Sequence, residues 1–134
     1  MHGTRFLLVT AIGEGLMGLF LLLLPALPLT LLLGMETPNP ETLVFARVGG
    51  AALVAIGAIS GLARTDDGSA ALRAVLFGIL VYDVAVAAVL AYAGTALQLV
   101  GILLWPAVLA HAALAVWCVV GLHLAAQPMR AAGA

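Results

Sequence analysis

The sequence predicts an all-α fold, a polytopic bundle of four transmembrane helices in one domain over residues 1–134, and three observations carry that prediction. Hydrophobic residues make up 65% of the chain and charged residues only 8%, too few to clothe the surface of a soluble domain this small. Four apolar stretches, at about 6–24, 43–63, 74–93 and 102–124, match the roughly 20 residues that cross a hydrocarbon core. None alternates with period two, and each is about twice the length a barrel strand needs.

The first span reads "FLLVTAIGEGLMGLFLLLL" (6–24). Arg5 ahead of an apolar run has the outline of a signal peptide, but Glu14 within that run and the lack of an A-x-A site near Pro25 speak against cleavage. The following "PALPLTLLLG" (25–34) is too apolar for an open loop and too short to span. Pro25 and Pro28 each remove a backbone donor, so this piece is expected as a kinked continuation or as an interfacial helix.

In "ETPNPET" (36–42), Asn39 suits an N-cap and Pro40 the first helical position, so the second spanning helix should begin near Pro40. "RTDDGSA" (64–70) is a short polar turn in which Asp67 or Ser69 can cap the third. "GTALQLVG" (94–101) is short and uncharged, which makes the last two spans antiparallel neighbours. All five basic residues are arginines; with four spans, Arg5, Arg64, Arg73 and Arg130 fall on one side and Arg47 on the other. By the positive-inside rule both termini are cytoplasmic.

Each of three spans carries one ionisable residue near its centre. At 1.5 Å per residue, Glu14 lies roughly 12 Å from the inner end of its helix, Asp83 roughly 14 Å in, and His111 roughly 14 Å from the outer end. Placing such a group at a helix centre costs about 2.5–3.5 kcal/mol on insertion scales. The eight leucines of the first span offset that for Glu14 at about half a kcal/mol each. The three groups should therefore face one another inside the bundle or line a wet cavity. Thr10, Glu14 and Gly18 form one stripe at i, i+4, and Arg47, Gly50, Gly57 and Gly61 lie near one face of the second span, where small residues permit close packing.

Several partners are open to these groups. Asp83 can hydrogen-bond to Tyr82, to His111 or to another helix's backbone. Glu14 can pair with Arg47, whose long side chain can reach inward or snorkel outward to headgroups. A metal or haem site using His111 with Cys118 lacks a second strong ligand. One cysteine and three scattered histidines give no zinc-type spacing, so no metal and no cofactor are expected. No catalytic set is evident: Ser60 has no His and acid partner at its depth, and the carboxylates stand on different helices at unfixed separation. The net charge of -1 offers no basic face to nucleic acid.

The stretches "LLLLPALPLTLLLG", "ARVGGAALVAIGAISGLAR" and "VYDVAVAAVL", in that order, resemble the DoxX-like group of small four-helix bacterial membrane proteins. The resemblance covers most of the chain. It implies a four-helix inner-membrane bundle and, for some members, association with membrane redox complexes; it implies no transferable active site. Tyr82-Asp83 stands where Tyr-Asn is expected in such sequences. Small multidrug transporters are similar only in size and in an acid on the first helix, and Asp83, His111 and the arginine bias depart from them.

Three functions follow as expectations. The first is a non-enzymatic accessory or structural inner-membrane component whose polar centre, Glu14, Asp83, His111, Arg47 and Tyr82, fixes helix register. The second is an oligomeric proton-coupled transporter of a small solute, with Glu14 and Asp83 carrying protons. The third is a membrane redox component binding a quinone-like molecule near His111 and Tyr82. The lipid bilayer is the surrounding partner in each, and a second copy or a membrane-complex partner is compatible with all three.

Overall fold

A computed structural model describes residues 2–66 and 68–131, with side chains over 4–66 and 68–123. It is all-helical among the described residues, with α1 (His2–Leu23), α2 (Ala26–Leu33), α3 (Pro40–Ala63), α4 (Ala70–Thr95) and α5 (Leu104–Ala131). Four helices are long and apolar enough to cross a membrane: α1, α3, α4 and α5. The protein is a four-helix transmembrane bundle.

The side chains are distributed as lipid, not water, would require. Phe45, Leu62, Phe77 and Leu109 face outward, whereas Thr10, Glu14, Ser60 and Asp83 are buried. Polar groups have no favourable place on a lipid-facing surface, so they collect at the helix–helix contacts.

Local chemistry sets the helix ends. Asn39 caps α3, its side chain accepting from the Thr42 N–H at 2.8 Å, with Pro40 at the first position. Ser69 caps α4: its Oγ accepts from the Leu72 N–H at 3.1 Å and donates to Asp66 Oδ2 at 2.7 Å. The Ser69 N–H also donates to Asp66 Oδ1 at 2.9 Å. These bonds, the side-chain one foremost, hold the Asp66 carboxyl below the usual carboxylate range. Asp67, the other candidate cap, lies outside the described residues.

Residues 25–34 form a helix of their own. The chain breaks at Leu24 and Pro25, and Pro28 sits in the first turn of α2, where its missing N–H has no helical partner to forfeit. Gly34 ends α2 in the left-handed region, φ 71°, and donates to the Thr30 carbonyl at 2.9 Å. The Leu31 carbonyl, left over at that end, accepts from the Leu103 N–H at 2.8 Å, which ties α2 to the entrance of α5. A Cβ at Gly101 would collide with the Leu31 and Leu32 carbonyl groups, so the joint needs a glycine.

The bundle is two antiparallel pairs, α1 with α3 and α4 with α5. Backbones touch in the first pair, because a Cβ at Gly18 would stand 2.7 Å from the Gly50 carbonyl oxygen and one at Gly57 would stand 2.9 Å from the Gly15 nitrogen. At the end that carries the N-terminus the two pairs close on a core of Phe6, Leu7, Ile79 and Cys118. Phe6 and Trp117 meet there edge to face with centroids 5.7 Å apart. Towards the α2 end the pairs part.

Candidate functional site

The polar centre lies just beyond that core. On α1 the buried stripe runs Thr10, Glu14, Gly18, one residue per turn, with Gly18 against α3 and Glu14 reaching α4. On α4, Asp83 points inward and is 1% exposed, while Tyr82 is half-buried beside it. The Tyr82 hydroxyl donates to Glu14 Oε2 at 2.8 Å, joining α1 to α4. Asp83 Oδ1 lies 2.8 Å from His111 Nδ1, joining α4 to α5. The Tyr82 and His111 rings stand edge to face, 5.7 Å apart at 81°. Glu14, Asp83 and His111 each bring one potential ligand atom into a group in which all separations are within 4.8 Å.

Of the five residues expected in this centre, four come together and one does not. Arg47 is exposed on α3 and makes no ion pair among the described residues, so the expected Glu14–Arg47 pair is not formed. The reason is the register of the α1–α3 contact. Val54 meets Gly18 and Gly57 meets Gly15, which sets Glu14 level with about Gly57, roughly ten residues or about 15 Å from Arg47 along α3. Tyr82 takes the place of Arg47 on the Glu14 carboxylate.

Cys118 does not join His111 either. It lies in the closed core, its S–H donating to the Leu76 carbonyl at 3.3 Å. Ser60 is fully buried and turns back on its own helix, donating to the Ile56 carbonyl at 2.8 Å. Two buried polar atoms have no hydrogen-bond partner among the described residues: Thr10 Oγ1, one turn from Glu14, and Asp83 Oδ2.

Beyond the polar centre, where the pairs part, is a cleft of about 490 Å³. Its wall is apolar, including Met17, Leu53, Val86, Leu90 and Leu103, and Glu14, Tyr82 and His111 are its polar lining. Gly13, Pro106 and Ala110 are exposed lining residues, so the mouth opens sideways between α1 and α5. A second cavity of about 400 Å³ lies between α3 and α4 and shares Tyr82 with the first.

The sequence signalled the centre through three ionisable residues at one depth. It gave no signal for the cleft wall, whose Leu, Val and Ala residues resemble every other apolar position. The grouping of two carboxylates with one imidazole was likewise missed as a ligand set, because depth fixes height in the membrane and not rotation about the helix axis. No family model, no curated protein and no solved structure matches the chain.

Proposed function

We propose that this four-span membrane protein is a non-enzymatic component of a bacterial inner membrane that binds a lipid-soluble molecule in the cleft between its helix pairs. The molecule has an apolar tail and a hydrogen-bonding head, as a quinone does. One observation carries the reading: the cleft is apolar except where Glu14, Tyr82 and His111 line it. Such a cavity, within the usual range of about 300–1,000 Å³, is the ordinary form of a small-molecule site. A mouth between α1 and α5 faces lipid, the phase that supplies such a molecule. The excess of arginines at one end supports cytoplasmic termini, and the resemblance to the DoxX-like group agrees with a place near membrane redox chemistry.

The test is the melting temperature of the protein in detergent as a decyl-substituted benzoquinone is added. A saturable rise is expected, since a ligand that binds only the folded state stabilises it. Ala107→Phe, which fills the cleft, should abolish the rise. Tyr82→Phe should raise the midpoint concentration about five- to tenfold, the worth of one hydrogen bond near 1 kcal/mol. No saturable rise in the wild type, or an unchanged rise in Ala107→Phe, would sink the reading.

A second reading, a structural component whose polar centre fixes helix register, is favoured by the bonds that link α1, α4 and α5. It would stand alone if no ligand stabilised the protein while the polar contacts still governed its stability.

A further inference from the structure

We propose that Glu14, Asp83 and His111 form a site for one divalent first-row metal ion, with Zn²⁺ or Mn²⁺ as representative occupants. Two independent observations meet here. The first is geometric: one ligand atom from each of the three residues falls in a group no wider than 4.8 Å. Around a tetrahedral Zn²⁺ with bonds near 2.1 Å, ligand atoms stand about 3.4 Å apart. Side-chain rotation of about 1 Å thus closes the trio on an ion. The three residues sit on three different helices, so an ion would join α1, α4 and α5 at one point.

The second observation is the state of Asp83. The residue is 1% exposed, its Oδ1 is turned to His111 at 2.8 Å, and its Oδ2 has no hydrogen-bond donor among the described residues. A buried carboxylate oxygen without a donor is costly. Two carboxylates enclosed at one point compound that cost, and a doubly charged cation cancels both charges where they are least solvated.

The donor set selects the class of ion. One imidazole with two carboxylates suits Zn²⁺, Mn²⁺ or Fe²⁺. Ca²⁺ takes six to eight oxygens, and Mg²⁺ keeps several waters in octahedral geometry, which three protein ligands against an apolar wall do not provide. Tyr82 acts as a positioning residue. Its hydroxyl holds Glu14 Oε2 at 2.8 Å and leaves Oε1 for the ion, as outer hydrogen bonds commonly fix a ligating carboxylate. Glu14 and His111 also line the cleft, so a remaining coordination position would face it.

The inference rests on the trio and not on a molecule in the cleft, so it is tested with no quinone present. Protein purified in detergent and stripped with a chelator would be titrated with Co²⁺, whose visible absorption reports coordination number. The expected result is about one Co²⁺ per chain, with absorption of a low-coordinate complex that Zn²⁺ abolishes. Glu14→Gln and Asp83→Asn, each preserving shape, should weaken binding at least about tenfold, and Glu41→Gln, a distant exposed acid, should leave it unchanged. A wild type that binds well under one equivalent would overturn the proposal, as would binding that survives both substitutions undiminished. If Asp83→Asn fails to fold, the wild-type stoichiometry and Glu14→Gln still decide.

Discussion

At the scale of the residue, Asp83 is the position where the sequence and the bilayer are most at odds. Its carboxylate is fully enclosed, and one oxygen is answered by His111 Nδ1 at 2.8 Å. Removing one member of a buried pair strands the other, at a cost of about 1–3 kcal/mol. Removing both members and refilling the volume with carbon leaves nothing stranded, and can be nearly neutral. Asp83→Leu alone should therefore destabilise the protein by about 1–3 kcal/mol, and Asp83→Leu with His111→Leu should recover much of that loss. Equilibrium unfolding in mixed micelles across the four members of this cycle would measure it. An interaction energy of about 1 kcal/mol or more is expected between residues in contact; strict additivity would mean that the two side chains do not act as a pair.

At the scale of the element, helix ends were legible in the sequence and helix contacts were not. Asn39 with Pro40 and Ser69 with its neighbours act within three or four residues, so the pattern that names them also places them. The role of α2 depends on Leu103, which comes 72 residues after Leu31 to meet its carbonyl, and no local pattern predicts it. Adjacent glycines in α3 show the same limit. Gly49 and Gly50 read alike in "RVGGAA", yet a Cβ at Gly49 meets nothing within 4 Å, while one at Gly50 would lie 2.7 Å from the Gly18 carbonyl oxygen. Gly50→Ala should force α1 and α3 apart and cost about 1–3 kcal/mol. Gly49→Ala should be neutral or stabilising by up to about 1 kcal/mol, the gain in helix propensity. Thermal unfolding in detergent separates the two, and equal effects would place the α1–α3 contact elsewhere.

At the scale of the whole molecule, composition fixed the class of fold because the bilayer constrains backbone hydrogen bonding so severely that four apolar runs of this length leave a helical bundle. The pairing of those helices, the cleft and the position of Arg47 depend on rotation and register, about which hydrophobicity says little. Orientation is different again, since it is set by charge at the ends. Arg5, Arg64 and Arg73 lie at the end that carries the closed core, while Glu36 belongs to the opposite end. Cytoplasmic termini would put residues 34–39 outside and residues 64–69 inside. Cysteine labelling can read this directly because the native Cys118 is 2% exposed and engaged with the Leu76 carbonyl, which keeps it out of reach of a polar maleimide. Glu36→Cys, at an exposed position, should react with an impermeant maleimide in intact spheroplasts. Thr65→Cys, also exposed, should react only after lysis. The reverse pattern would invert the orientation and leave Arg47 as the lone inner cation, against the charge rule. Labelling of both positions from outside would require two insertion topologies, and the arginine bias would then not be what sets them.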